Sequence, residues 1–290
     1  MNARPLALLV AAAALAIGPP SFGAEGAAAP SMMKSIAEAG APSLVTVKFV
    51  MKVEGAMGSQ EEETETTGVM LDGEGLVLVN NIEMGGMLKM FGMSGRPTDI
   101  KVLVGDDTVG VDAKLIARDS ELNLAWVRTN DKPAAAYKFT DFEQTAEPQV
   151  GDYLYIVGRM SKFFDRAATV HEVRMSGRTT KPQPLLLAGS MDGDMGSPVF
   201  DAAGKLVGVT TIVVPNEEDM GDGMNQQAMR QMMAPAVIPA KRVADATTRA
   251  LETAATNPLP DEEPAVEPKE TGEPATPTPA PGGGGGGGGM

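Results

Sequence analysis

The stretch Gly68-Val69-Met70-Leu71-Asp72-Gly73-Glu74-Gly75-Leu76-Val77-Leu78-Val79-Asn80-Asn81 decides the fold. Two β-rich runs, Thr66–Leu71 and Leu76–Asn80, are split by Asp72-Gly73, a hairpin signal, because these residue types accept the backbone of a tight turn. Working outward, similar runs recur at Leu44–Val53, Ile100–Val104, Val109–Ile116 and Leu124–Val127. They resume at Tyr153–Val157, Thr169–Met175, Leu185–Leu187, Val199–Phe200 and Leu206–Val214. Gly105-Asp106-Asp107 and Ala203-Gly204 supply further turns. Helical spacing appears only from Pro239 to Ala255, where Val243, Ala246, Thr247 and Ala250-Leu251 share a face. Eleven closely spaced strands predict an all-β protein of paired barrels or a sandwich rather than a βαβ fold. The polar stretch Thr129–Gln149, with Pro133 and Pro148, is the expected strap between halves of six and five strands.

Composition bounds the function. The 290 residues carry a net charge of −14, which argues against nucleic acid or an anionic membrane surface as partner. With no cysteine, disulfides, thiolate metal sites and thiol nucleophiles are excluded. His171 is the single histidine, so a multi-histidine metal site is excluded and only one imidazole base is on offer. Residues 1–23 read as a signal peptide: Arg4, the apolar run Leu6–Ile17, the breaker Gly18-Pro19-Pro20, then Ser21 and Gly23 before a cut at Ala24. Twelve apolar residues are too few to span a bilayer about 30 Å thick as a helix. The expected product is an exported chain, periplasmic or secreted, with no membrane span in its mature form. Residues 24–42 read as a flexible linker, 43–255 as the folded domain, and 256–290 as a disordered tail rich in Pro, Glu and Gly.

The order and content of the strands resemble the HtrA (Deg) family of trypsin-like serine proteases. Gly68 to Asn81 is similar to that family's Gly-rich strand, turn and strand ending in Thr-Asn-Asn-His. Asp119-Ser120-Glu121-Leu122-Asn123-Leu124-Ala125-Trp126-Val127 resembles its Asp-x-x-x-Asp-Leu-Ala-Val-Leu strand, and Val150 to Gly158 its Val-Gly-Asp-x-Val-x-Ala-Ile-Gly segment. Gly193-Asp194-Met195-Gly196-Ser197-Pro198-Val199-Phe200 resembles the Gly-Asn-Ser-Gly-Gly-Pro-Leu loop, and Ile238-Pro239-Ala240 falls where the final helix begins. The resemblance spans about Ser43 to Glu252 and implies a trypsin-like double β-barrel with a C-terminal helix and an active site between the barrels. The PDZ domains usual in the family have no counterpart, because the chain turns at once to the Pro/Gly tail.

The resemblance sets the family's histidine on Ile82, its aspartate on Asn123 and its nucleophilic serine on Met195. Acyl transfer needs an alcohol, an imidazole to take its proton and a carboxylate to orient that imidazole. Isoleucine, asparagine and a thioether supply none of these, so the chain reads as a degenerate member, a pseudo-protease. The backbone of Gly193 and Met195 could still form an oxyanion-type pocket. The cleft could hold an extended peptide or protein segment by strand addition, or Met195 and Ile82 could simply fill it. Asn80 and Asn81 are expected to stabilise the turn after their strand. An active endopeptidase using Ser197 or Ser190 with His171 is the alternative. Against it, His171 lies in the second half, where it reads as a partly exposed strand residue, and Ser197 reads as a small residue standing where the family has Gly.

Methionine is the other departure, with twenty in the chain. Met84, Met87, Met90 and Met93 recur within an insertion after Asn81, and Met220, Met224, Met229, Met232 and Met233 form a second cluster. Soft thioethers suit Cu(I), which gives a third class, a methionine-rich copper protein. The same side chains also make adaptable surfaces for partners, or pack a loop onto the body. Packing is the preferred reading, with no cofactor expected. The acidic run Glu61-Glu62-Glu63-Thr64-Glu65 reads as a solvated loop.

Overall fold

The computed structural model describes residues 25–55, 58–86, 88, 93–181, 183–189, 191, 195–212 and 235–259. The expected signal segment 1–23, the tail from 260 onward and the second methionine cluster lie outside them.

Six antiparallel strands close the first barrel in the order β1-β2-β3-β6-β5-β4. They are β1 (Leu44–Gly55), β2 (Gly58–Met70), β3 (Leu76–Asn80), β4 (Ser94–Val104), β5 (Val111–Asp119) and β6 (Leu124–Thr129). Six more close the second in the order β10-β11-β12-β9-β8-β7. These are β7 (Tyr153–Arg159), β8 (Ala168–Thr179), β9 (Leu185–Ala188), β10 (Pro198–Asp201), β11 (Leu206–Ile212) and β12 (Pro235–Pro239). The protein is a trypsin-like double β-barrel. Helix α1 (Glu25–Gly40) precedes the strands and α2 (Ala240–Thr256) follows them.

Alternation along each strand divides the apolar side chains between layers. Val77 and Val79 of β3 point into the first barrel with Val45, Val47, Phe49, Met70, Val102 and Val127. Their neighbours Leu76 and Leu78 point the other way, into a layer shared with Trp126, Tyr155, Val157, Phe200, Val209 and Ile238. A separate cluster of Leu154, Ile156, Met175, Val199, Val207 and Val237 fills the second barrel. Helix α2 buries Val243, Ala246 and Ala250 against the shared layer, and the Trp126 indole N–H donates to Thr247 Oγ1 at 3.0 Å. Each fully buried aliphatic of this kind contributes about 1.5–3 kcal/mol.

Four expectations are corrected. The linker 24–42 is instead helical over Glu25–Gly40, followed by a short 3-10 turn at Ala41–Ser43. Ile36 is buried in the shared layer with Met32 and Met33 packed against it, so this segment docks rather than links. The acidic run Glu61–Glu65 is not a loop but part of β2, whose Lys48–Glu63 (2.9 Å) and Lys52–Glu61 (3.1 Å) pairs join it to β1. The second half holds six strands, because Ala-Val-Ile between Pro235 and Pro239 pairs with β11 and β9 and closes the barrel. Gly208 makes that closure possible: a Cβ there would lie 2.0 Å from the Ile238 carbonyl oxygen. Finally, α2 runs to Thr256, one residue into the segment expected to be tail.

Candidate functional site

Three chain turns meet where the barrels face each other. After β3, Asn80 Oδ1 accepts from the Ile82 N–H at 2.9 Å, and Ile82–Gly86 forms a tight helical turn. Asn81 N–H donates to the Asn123 carbonyl at 2.8 Å, which sets the segment before β6 against the end of β3. From the second barrel, Gly196 packs on Asn80: a Cβ there would sit 3.3 Å from the Asn80 nitrogen. Ile82, Asn123 and Met195 are thus gathered at one inter-barrel junction. Ile82 and Met195 are half-buried, and Asn123 is buried.

The local backbone explains the residue types. Asn123 has φ 57° and Gly196 φ 82°, a region that asparagine and glycine enter most readily. The Asn123 amide donates from Nδ2 to the Ile212 carbonyl of β11 at 2.6 Å, a bond that crosses from one barrel to the other. On the second-barrel side, Gly196 N–H donates to the Thr210 carbonyl at 2.8 Å and Ser197 N–H to Thr210 Oγ1 at 2.9 Å. The Met195 turn is therefore fixed to β11 by two bonds. Gly193, proposed with Met195 to supply the oxyanion-type amides, lies outside the described residues, as does Ser190.

Met195 forms one wall of a pocket of about 180 Å³ with Thr46, Thr66, Glu83, Arg159 and Ser161 among its other walls. The lining is charged and hydroxylic. Thr66 Oγ1 donates to a Glu83 carboxylate oxygen, and Arg166 pairs with Glu65 at 2.7 Å at the pocket's edge. Arg159 donates to the Leu44 carbonyl at 3.3 Å and the Arg166 carbonyl at 3.0 Å. Burial holds the Arg159 guanidinium below its ordinary pKa; the Asp106 carboxylate opposes that shift and Arg166 adds to it. On the first-barrel side, Arg118 donates to Asn81 Oδ1 at 2.6 Å and to the Met84 carbonyl at 2.7 Å. Its guanidinium is also lowered by burial. Asn80 and Asn81 thus hold the turn after β3, in line with their sequence reading.

The alternative nucleophile and base do not face each other. Ser197 is fully buried and its hydroxyl has no partner among the described residues, whereas His171 is exposed on β8. The methionine insertion packs in part. Met84 is fully buried in the first-barrel core, Met93 is half-buried, and Met87 and Met90 lie outside the described residues. Among the described residues no group of three or more His, Cys, Asp or Glu side chains is arranged to hold a metal.

Comparison with known proteins places this geometry. The family model "Trypsin-like peptidase domain" matches residues 66–209. Curated relatives named "Probable periplasmic serine endoprotease DegP-like", from Brucella suis biovar 1 and Brucella abortus biovar 1, are 26% identical over 163 residues. The chain is thus similar to trypsin-like peptidases over just under half of its length, and to relatives of the DegP-like kind. The match covers 54% of this chain but only 29% of the length of those relatives. Among solved structures, an HtrA-type protease named AlgW, a serine-to-alanine variant with a tripeptide, aligns with TM-score 0.51 at 18% identity. That alignment covers 76% of this chain and 64% of the other. Deg5 aligns with TM-score 0.51 at 16% identity, over 75% and 92% of the two chains. At these identities the solved structures speak for the fold.

Within this inter-barrel cleft, the sequence carries little sign of Glu83, Arg118 and Arg159. None lies in a recognisable motif, and a lone charged residue beside an apolar run gives no sign of which cleft it will border. The one legible hint was position: Glu83 follows directly on the Asn80-Asn81-Ile82 segment.

Proposed function

We propose that this chain is an exported pseudo-protease that binds an extended peptide in its inter-barrel cleft. One observation carries the reading. Where the family's chemistry needs imidazole, carboxylate and alcohol, this chain has Ile82, Asn123 and Met195, and all three sit at one junction. An asparagine cannot stabilise an imidazolium, and Ile82 supplies no imidazole for it to orient. The Asn123 amide instead bonds across the barrels to Ile212, a structural use of the position. What remains is a polar pocket bordered by Thr66, Glu83, Ser161 and Met195, with hydroxyl and charged groups able to meet a peptide backbone. Export follows from the N-terminal segment, and relatives whose name includes "periplasmic" support it.

The test is catalytic. The purified chain should neither cleave an unfolded protein substrate nor react with a serine-directed phosphonate. Single reversions Ile82→His, Asn123→Asp and Met195→Ser should stay silent, because nucleophile, base and orienter act as one unit. Phosphonate labelling at position 195 only in the triple variant supports the reading. Labelling of the unaltered chain at a single serine overturns it.

A further inference from the structure

The strand β2 is paired along its full length on one side only. Its inner edge pairs with β1 from Gly58 to Val69, whereas its outer edge pairs with β3 only over Gly68–Met70. Among the described residues, no strand pairs with the outer edge over Gly58–Thr67. An open edge of this length presents a row of backbone donors and acceptors ready for another strand. A groove of about 460 Å³ runs along the ribbon of β1 and β2, lined by Met51, Val53, Gln60, Glu61, Glu62, Thr64 and Glu83. The register explains it: Met51 lies opposite Glu62 and Val53 opposite Gln60, so the inward face of the barrel continues past its mouth as an open ribbon. The floor is apolar, and the walls are acidic.

We propose that this outer edge of β2 docks an extended peptide bearing Lys or Arg at alternate positions. The inference goes beyond the cleft reading and does not rest on it. Three observations select that occupant. A second copy of β2 is disfavoured, because Glu61, Glu62, Glu63 and Glu65 would face their own kind across the new pairing. Glu61, Glu63 and Glu65 already pair with Lys52, Lys48 and Arg166, whereas Glu62 is exposed, with no ion pair among the described residues. It therefore offers its charge to a ligand. The groove also joins two chemistries that a long basic side chain joins in itself: an aliphatic stem for Met51 and Val53, and a cationic head for Glu62 and Glu83. Alternate residues of an added strand share one face, so a basic residue at every second position would address the groove repeatedly.

The test uses the full chain and a fluorescein-labelled decapeptide of alternating lysine and threonine, read by fluorescence anisotropy. Saturable binding that weakens with salt is expected, and a glutamate–threonine decapeptide should not bind. Glu62→Gln should weaken binding severalfold, and Glu62→Gln with Glu83→Gln about tenfold. The single variant guards against a folding defect at Glu83. N-methylation of alternate amides in the lysine peptide should abolish binding, because strand addition needs those N–H groups. The proposal is overturned if the lysine peptide fails to bind or if its N-methylated form binds equally well. It is also overturned if Glu38→Gln on α1, which removes one charge elsewhere, weakens binding as much as Glu62→Gln. Met195→Trp separates the two readings. It should leave binding at β2 unchanged, and loss of binding would move the peptide to the inter-barrel cleft and sink the edge site alone.

Discussion

In the first barrel, all of β3 and nearly all of β6 are buried, whereas β8 of the second barrel alternates with solvent along most of its length. The reason is position. β3 and β6 have the barrel interior on one face and the shared layer with α2 on the other. β8 packs mainly one face, through Val173 and Met175, with Val170 partly buried on the other. The segments of the first barrel that would carry catalytic groups in the family start from these doubly buried strands, Ile82 just after β3 and Asn123 just before β6. The cleft therefore rests on the most tightly held part of the molecule. The side chains at its mouth can change without loss of the frame, because the frame is fixed by other residues.

Breaking the doubly buried layer should have the largest effect. Trp126→Ala removes a fully buried indole and its bond to Thr247, and should cost about 3–5 kcal/mol. His171→Ala on the exposed face of β8 is the matched control, with a melting temperature expected within about 2 °C of the parent. Equal losses in the two variants would remove the contrast. Next comes the methionine insertion. Met84→Ala should cost about 2–5 kcal/mol by leaving a cavity in the first-barrel core. Cu(I) added under reducing conditions should not raise the melting temperature of the unaltered chain. A saturable rise, lost on replacing Met84, Met87, Met90 and Met93 together, would instead establish a copper site.

Asn123→Asp probes the bond between the barrels. At neutral pH it sets a carboxylate oxygen against the Ile212 carbonyl in place of a donor, which should cost about 1–3 kcal/mol. The sign with pH follows directly. This burial without a donor raises the folded-state pKa above the ordinary value near 3.9, so the protonated form is favoured in the fold. The deficit should be full above the folded-state pKa and shrink as pH falls toward about 4, where the protonated acid can donate again. Urea unfolding at pH 4 and pH 7 measures it, and a deficit independent of pH would show that the side chain has turned away from Ile212. The smallest effect is expected from deletion of 260–290. That composition cannot bury a core, and the melting temperature should move by no more than about 2 °C. A larger drop would mean that the tail docks on the barrels.

Much of this was legible along the chain. The apolar runs between Asp72-Gly73, Gly105-Asp106-Asp107 and Ala203-Gly204 overlap observed strands, because turn residues and short β-rich runs report local backbone preference. β12 escaped notice because its three apolar residues between prolines carry too little pattern to mark a strand; pairing with β11 and β9 makes it one. The acidic half of β2 failed for the converse reason. Glutamate disfavours strands on average, yet here the ladder with β1 holds the run extended, and Lys48 and Lys52 on that strand pair with Glu63 and Glu61. Helix α1 was missed because alanine-rich composition says little about docking, which Ile36 secures by burial in the shared layer with Met32 and Met33 packed against it.

By itself, the sequence determined most of the strand content and the identities at positions 82, 123 and 195, since each depends on local residue type and order. Only the tertiary structure decided that Asn123 bonds Ile212 across the barrels, that Glu83, Thr66 and Arg159 border the cleft, and that β2 keeps an open edge. The physical reason is sequence separation. Asn123 and Ile212 are 89 residues apart, and Arg159 and Leu44 are 115 apart, so no local preference encodes their meeting. Closure of the two barrels and burial of the layer between them brings these groups together.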